Sequence, residues 1–269
     1  MTGHLRLCFG VREGRTLLSE QSFRAPMHIS KPYWDGQQLV LNVVNPTAGF
    51  FPGDELKIEV EAREGSRAVV TSPSASRIFR GRDELSAVVM KQRFLVRGGA
   101  HIEVCPEMLI PHAGARFAQE THLDAEAGAE VLFIESMAPG RVAMGEAFAF
   151  RSLRWVTQLT VGGKLLALER YRLSPEDESL HSLKAHFPVS YHATGYIVSP
   201  KLPKGAEFLN AVAGLNSESV LAGASAVGEG SVSFRILAAE PISLRKAIFA
   251  FRRLAYAVFD LPFSDLRKL

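Results

Sequence analysis

A unit of strand, glycine turn and strand recurs three times in this sequence. In each copy, a segment that alternates apolar and polar residues meets a glycine and resumes as a second apolar segment. The turn glycines are Gly65, Gly99 and Gly128, so the spacings are 34 and 29 residues. Glycine suits corners where a strand reverses or changes sheet, because it accepts positive φ angles without steric cost.

This period constrains the fold class. A repeat of about 30 residues is typical of stacked β-layers, in which each pair of strands is covered by its neighbours. A plain two-sheet sandwich would also produce short strands with turn signals. We therefore predict a mainly β fold whose stacked layers resemble a β-helix.

About two α-helices are predicted near the C-terminal end. Apolar residues at helical spacing indicate helices over residues 204–215 and 243–258, and Ser243 is a plausible N-cap of the second. No Gly/Ser-rich or Pro-rich linker divides the chain. Residues 1–269 are therefore predicted to form one domain, β-rich over 1–200 and with helix, strands and a C-terminal helix over 201–269.

Composition excludes several classes of protein. Apolar residues make up 47% and charged residues 22%, which allows a sizeable core. The 31 basic residues are scattered among 28 acidic ones, so no nucleic-acid surface is predicted. We find no signal peptide and no run of about 18 apolar residues, so we expect a cytoplasmic protein without a membrane partner.

Common catalytic motifs are missing. The sequence has two cysteines and no C-x-x-C pair, which argues against a disulfide framework or a structural zinc site. Gly162-Gly163-Lys164 lacks the spacing of a phosphate-binding loop and is predicted to be a hairpin turn. Residues 223–228 are one residue too long for a nucleophile elbow.

Histidines raise the question of a metal site. His101, Glu103 and Cys105 would point to one side of a strand and could bind a soft divalent ion. The commoner situation is that Cys105 fills core space and His101 sits at a wet turn. Three other histidines lie in a loop-like region without ligand spacing and are predicted at the surface or core edge: His181, His186 and His192.

Four carboxylates stand beside glycines or within apolar strand sequence: Asp54, Glu135, Glu146 and Glu169. A buried carboxylate requires a cation, a metal or hydrogen-bond donors. Several such oxygen ligands along a water-filled passage could bind a divalent cation one after another, each without holding it tightly. For any single one of them, spacing alone favours a strand-end position or an arginine partner, with Arg77, Arg141 and Arg170 as candidates.

Five segments, in order, resemble the motifs of the urease accessory protein UreD family. They are residues 46–54 (PTAGFFPGD), 71–80 (TSPSASRIFR), 102–115 (IEVCPEMLIPHAGA), 140–148 (GRVAMGEAF) and 221–225 (LAGAS). The resemblance covers roughly residues 5–237. It departs at Phe50-Phe51-Pro52, where the family usually has Ile/Val and glycine, and at the C-terminus, which lacks the family's Pro-Arg-Ile-Trp ending.

The resemblance implies a β-helix-like fold with two helices, no catalysis and no permanently bound cofactor. It implies assembly with UreF-like and UreG-like partners, the latter a GTPase, and docking on apo-urease to deliver nickel. It also implies an internal passage lined partly by acids. By motif, Asp54, Ser76, Glu135 and Glu169 fall on passage positions, and Glu135 stands where the family can carry the shorter aspartate.

Two other functions fit parts of the sequence. A β-solenoid or sandwich glycoside hydrolase would use a carboxylate pair about 5–10 Å apart, Glu135 with Glu146 or Glu169. Such enzymes usually offer an aromatic-lined groove, and this chain has only two Trp and five Tyr. The other possibility is a purely structural repeat protein. The final helix also carries four basic residues, predicted to form its solvated side: Arg245, Lys246, Arg252 and Arg253.

Overall fold

The computed structural model describes residues 1–81, 86–176 and 191–266. Two β-sheets pack face to face, and two helices cover the outer face of the second sheet. The first sheet has seven strands, in spatial order β17 (Lys164–Leu173), β16 (Ser152–Val161), β12 (Arg116–Ala125), β9 (Val88–Val96), β6 (Glu55–Ala62), β1 (Thr2–Arg12) and β2 (Arg15–Arg24).

The second sheet runs in the order β19 (Val220–Gly228), β20 (Ser231–Ala238), β18 (Tyr191–Val198), β13 (Glu130–Met137), β10 (His101–Cys105), β7 (Arg67–Thr71), β5 (Gln38–Val44) and β3 (His28–Ile29). Short strands extend it: β4 (Tyr33–Asp35), β8 (Ser76–Ile78) and β11 (Leu109–Pro111). A separate small ribbon consists of β14 (Gly140–Arg141) and β15 (Glu146–Ala147), joined by the 3₁₀ turn Val142–Met144. The helices are α1 (Glu207–Ala213) and α2 (Pro241–Phe259).

The three predicted glycine corners are the points where the chain changes sheet. Gly65, Gly99 and Gly128 have φ angles of 72°, 70° and 81°, a region that favours glycine. They lead from β6 to β7, from β9 to β10 and from β12 to β13. Within each sheet the successive strands of these pairs are parallel. The chain therefore stacks coil upon coil, which confirms the predicted β-layers.

The coiled pattern stops at Gly162-Gly163. There β16 turns back and pairs with β17 in antiparallel fashion, so the chain stays in the first sheet. Both glycines have positive φ angles, 56° and 78°. The predicted hairpin turn is confirmed.

Two apolar cores result from this layering. The inner core lies between the sheets and includes the contact of Phe94 with Phe133, whose ring centroids are 5.5 Å apart. The helix-side core lies between the second sheet and the helices, where Phe234 and Phe251 are 3.9 Å apart. Every residue of β10 is buried, because this parallel strand is covered on both faces.

The helix boundaries differ from the prediction. Helix α1 spans Glu207–Ala213, which is shorter than residues 204–215. Helix α2 begins at Pro241, preceded by Glu240 in an extended conformation, so Ser243 is not the N-cap. Proline is favoured in the first helical turn because its missing N–H would have no partner there. In the described part of the chain, no helix has the length and apolar character needed to cross a bilayer.

Candidate functional site

A row of polar side chains crosses the otherwise apolar inner core. On the first sheet its members are successive register partners that face inward: Gln92, Thr121, Thr157 and Glu169. On the second sheet the corresponding partners are Glu135, Thr194 and Arg235. We call these seven residues the polar row. Their inward orientation follows from strand alternation, because Glu135, for example, lies between the inner-core residues Phe133 and Met137.

Glu135 is the carboxylate at the centre of the polar row. Its Oε1 atom accepts hydrogen bonds from the side-chain amides of Gln92, at 3.0 Å, and Gln119. Both amides also donate to the hydroxyl of Thr121, each at 3.2 Å. Burial raises the pKa of Glu135 to about 7, the nearby Glu169 carboxylate adds to this, and hydrogen bonding by the side chains of Gln119, Gln92 and Trp155 opposes it.

Glu135 lines a cavity of about 120 Å³ between the sheets. The side chains that share that lining include Asn45, Ser76, Gln92, Gln119 and Trp155. The amide nitrogen of Asn45 is buried without a hydrogen-bond partner in the described part of the chain. At roughly 30 Å³ each, about four water molecules fit this volume, so the cavity suits water or a small hydrated ion.

Glu169 continues the polar row toward the sheet edge. Its Oε1 atom lies 2.5 Å from Nη2 of Arg235, and Oε2 accepts a hydrogen bond of 3.3 Å from the hydroxyl of Tyr196. The predicted candidate partner Arg170 is not used, because it lies on the other face of β17. Glu169 and Glu135 are close enough for each carboxylate to affect ionisation of Tyr196.

Asp54 lies apart from this cluster, in the turn that precedes β6. Its side chain is buried, with Oδ1 2.6 Å from the amino group of Met1 and Oδ2 accepting from the N–H of Phe51 at 2.8 Å. Asp54 does not line the inner cavity, although its loop neighbour Phe50 does. Of the four sequence-predicted positions, the structure thus brings Ser76 and Glu135 into one cavity, with Glu169 beside them.

Several polar partners in this region were not predicted: Gln92, Gln119, Thr121, Tyr196 and Arg235. Gln92, Gln119 and Thr121 were detectable in principle. They occupy inward positions of β9 and β12, where the alternation predicts apolar side chains. A polar residue at such a position is a signal for a buried network.

The sequence suggested a metal site at His101, Glu103 and Cys105 of β10, but Glu103 forms an ion pair with an arginine of α2. In the described residues, no group of three or more His, Cys, Asp and Glu side chains is arranged to hold a metal ion. Glu103 binds the guanidinium of Arg252 through both carboxylate oxygens and accepts a 2.6 Å hydrogen bond from Tyr256. His101 is buried under α2, so its predicted position at a wet turn is wrong.

The basic side of α2 is also only partly solvated. Arg252 is buried, because α2 packs this residue onto β10, and the prediction that it is solvent-exposed is wrong. Arg245 reaches Glu107 instead, with Nη2 2.8 Å from Oε2. The positions of the arginines in the helix sequence therefore did not distinguish the buried Arg252 from arginines at the surface.

Glu146 does not form a carboxylate pair with Glu135. It binds Arg141, with Nε 2.8 Å from Oε2, and accepts a hydrogen bond from the N–H of Ala113. The Arg141 hydrogen bond lowers the pKa of Glu146 to about 2. Arg141 is thus the partner suggested by the sequence. Glu135 and Glu169 are close, but the cavity at Glu135 is smaller than the roughly 300 Å³ at which ligand pockets begin.

His192 belongs to β18 rather than to a loop. Its ring lies edge-on to Tyr171, with centroids 6.5 Å apart. Burial lowers the pKa of His192 to about 4, and the charge of Arg235 contributes. His181 and His186 lie outside the described residues.

Comparisons with known proteins agree with the motifs. A sequence model of the family described as UreD urease accessory protein matches residues 1–267. A urease accessory protein UreD from Opitutus terrae is 36% identical over 99% of this chain and 98% of its own length. One from Herpetosiphon aurantiacus is 33% identical over 73% of this chain and 69% of its own, and one from Cenarchaeum symbiosum is 28% identical over 87% and 84%. The chain therefore belongs to the UreD urease accessory protein family.

Proposed function

We propose that this protein is a non-enzymatic scaffold that passes nickel toward apo-urease, with the inner cavity and the polar row as part of the conduit. The observation that carries the proposal is the hydrogen-bonding and charge environment of the Glu135 carboxylate. In the described part of the chain it accepts amide hydrogen bonds but forms no ion pair, although it is buried. A buried carboxylate without a cation is an energetically costly feature that a passing cation would relieve.

The ligand atoms in the inner cavity suit transient binding of a divalent cation better than tight binding. Carboxylate and hydroxyl oxygens bind divalent ions, but tight nickel sites generally add imidazole or thiolate ligands. The inner cavity offers the carboxylate of Glu135 and the hydroxyl of Ser76, and no such nitrogen or sulfur ligand lines it in the described part of the chain. A hydrated cation would therefore be held weakly and released easily. Nickel is the cargo of this protein rather than a resident cofactor.

The two other acids would act at the ends of this path. Glu169 is paired with Arg235, whose side chain is largely exposed, so this ion pair can open at modest cost. Asp54 is bound by the amino group of Met1. We propose that a cation replaces these positive groups in turn. Membership of the UreD urease accessory protein family supports a role in urease maturation, and we propose UreF-like and UreG-like proteins and apo-urease as partners.

The test is nickel-dependent activation of urease in cells whose only UreD protein is this chain. A combined Asp54→Ala, Glu135→Ala and Glu169→Ala variant should lose most activation, and Glu135→Gln alone should lose part of it. The matched control is Glu229→Ala, because Glu229 is an exposed acid in a surface ion pair with Lys204. Co-purification with the partners must persist in all variants. Unchanged activation by the triple variant would overturn the proposal.

A further inference from the structure

The outer face of the first sheet carries a cluster of four arginines. On β12, β16 and β17, the side chains of Phe117, Trp155 and Tyr171 pack toward the inner core. Side chains alternate along a strand, so the neighbours of these residues face outward. In the described part of the chain, both helices pack on the second sheet, so neither of them covers this outer face. At one end of the three strands the outward residues, which we call the arginine cluster, are Arg116, Arg154, Arg170 and Arg172.

Strand register brings these arginines together from separate parts of the sequence. Arg154 lies directly opposite Arg172 in the antiparallel pair of β16 and β17. Residues in such positions have Cβ atoms roughly 5 Å apart, and like charges there destabilise a sheet. Arg170 and Arg116 lie diagonally from Arg154, on β17 and β12. The arginine cluster is therefore unfavourable unless another molecule supplies negative charge.

The protein itself supplies little negative charge to the arginine cluster. None of the four arginines has an ion-pair partner among residues 1–81, 86–176 and 191–266. Glu120 lies on the same face, but Lys91 stands opposite it in the register and offsets its charge. Arg93, by contrast, faces outward from the same sheet and pairs with Asp124, with Nε 3.0 Å from Oδ2. The guanidinium groups of the arginine cluster are thus available to carboxylates of another molecule.

Exposed leucines on β17 adjoin the arginine cluster. Leu168 is 44% exposed and lies two residues from Arg170, and Leu165 is 51% exposed. Both face outward, because Leu166 and Ala167 between them pack against the inner core. Surfaces that bind single-stranded nucleic acid use aromatic side chains for base stacking, and the outward positions of β12, β16 and β17 carry none. Arginine beside exposed leucine instead fits a protein surface that presents carboxylates around an apolar strip.

We infer that the arginine cluster, together with Leu165 and Leu168, is the docking surface for an acidic surface of a protein partner. The choice of partner rests on the proposed function: it is a member of the urease maturation assembly. Glu169 supports this choice, because it lies between Leu168 and Arg170 on β17 and faces inward to Arg235. A partner docked on the outer face of β17 would therefore lie beside one end of the polar row.

Binding of the purified full chain to a UreF-like protein, a UreG-like protein and apo-urease, singly and in combination, tests this inference. Arg170→Glu combined with Arg172→Glu should weaken binding to one of these partners by about tenfold or more, because both contacts become repulsive. Added salt should weaken binding of the unmodified protein more steeply than binding of this arginine variant. Leu168→Ser should also weaken binding but should leave its salt dependence unchanged. The matched control is Arg6→Glu combined with Arg24→Glu, which makes the same charge change at exposed positions near the opposite edge of the sheet.

The thermal unfolding midpoint separates a role in binding from a role in folding. Arg172→Glu places an acid directly opposite Arg154, so the midpoint of the arginine variant should not fall. A lower midpoint, with binding reduced only in proportion to the folded fraction, would show that the arginines are structural, and the inference would be wrong.

The remaining outcomes separate this inference from the proposed function. If the arginine variant binds every partner as well as the control does, the inference is wrong, and the proposed function still stands or falls with the Asp54, Glu135 and Glu169 triple variant. Weaker binding by the arginine variant supports the inference even where that triple variant activates urease normally. If all partner affinities are unchanged and the arginine variant instead loses self-association in light scattering, or loses binding to RNA or to anionic vesicles, the surface has a different ligand and the inference is overturned.

Discussion

Arg252 of α2 binds the Glu103 carboxylate of β10 in a two-pronged ion pair that is buried between helix and sheet, with Nη2 2.9 Å from Oε2. Tyr256 donates a third hydrogen bond to the same carboxylate. Replacing Arg252 by methionine leaves Glu103 buried without its counter-charge. We expect the free energy of unfolding to fall by about 3–5 kcal/mol. Urea denaturation followed by tryptophan fluorescence measures this loss.

Two controls identify the cause of that loss. Arg245→Met breaks the partly exposed pair with Glu107 on the same helix, and its expected cost is about 0–1 kcal/mol. Glu103→Leu combined with Arg252→Met removes both charges and should recover much of the stability lost in the single variant. Equal losses for Arg245→Met and Arg252→Met would contradict the explanation by burial.

His101 makes the stability of this region depend on pH. Its ring packs against Tyr256 and Phe259, and neither ring nitrogen has a hydrogen-bond partner among the described residues. Burial lowers the pKa of His101 to about 4, against an ordinary value of 6.5, and the charges of Arg67 and Lys201 act in the same direction. The unfolded chain therefore binds more protons between these values. The stability contributed by neutral His101 is complete above pH 6.5 and is lost as the pH falls toward 4.

A leucine at position 101 tests this dependence, since it cannot titrate. Between pH 7 and pH 5, the free energy of unfolding of His101→Leu should fall by about 2 kcal/mol less than that of the unmodified protein. His192 also titrates with a lowered pKa and remains in both proteins, so the difference isolates His101. Urea denaturation at the two pH values gives the comparison. Parallel losses in the two proteins would show that His101 does not carry the effect.

The layered fold was predictable because its main constraint is local. Positive φ angles at Gly65, Gly99 and Gly128 favour glycine over other residue types. The alternation of apolar and polar residues beside each glycine indicates which face of the strand is buried. Helix α2 was predictable for a similar reason, since its apolar spacing is regular. Its start was misjudged because Ser243 fits an N-cap, whereas the proline at 241 defines the first turn.

The candidate site was less predictable, since its contacts join distant parts of the chain. Family motifs pointed to Ser76 and Glu135, and both line the inner cavity. Nothing in local spacing pairs Glu103 with Arg252, 149 residues away, or Glu169 with Arg235, 66 residues away. Those pairs arise only when the coils stack and α2 closes over the second sheet.

Gly195 of β18 is predicted to be essential for the sheet that carries Glu135. A Cβ atom at this position would overlap the carbonyl oxygen of Phe133 and lie 3.0 Å from the ring of Phe234. Gly195→Ala must therefore push β18 away from β13, and we expect a loss of about 3 kcal/mol in the free energy of unfolding. Gly223→Ala on β19 is the control, because no atom lies within 4 Å of its added Cβ, and its effect should stay within about 1 kcal/mol. Similar unfolding midpoints for the two variants would contradict this account.

The ionised carboxylate of Glu135 should reduce the stability of the fold at alkaline pH, because it is buried. Burial raises its pKa to about 7 from an ordinary 4.5, so the folded state binds more protons between these values. Its contribution to stability is therefore complete below pH 4.5 and is lost as the pH rises through 7. At pH 8, the free energy of unfolding of Glu135→Gln should exceed that of the unmodified protein by about 2 kcal/mol; this is less than the full pKa shift implies, because water in the cavity would partly solvate the carboxylate. At pH 4.5 the two free energies should be equal. Urea denaturation at both pH values decides this, and a less stable Gln variant at pH 8 would mean that the ionised carboxylate stabilises the fold.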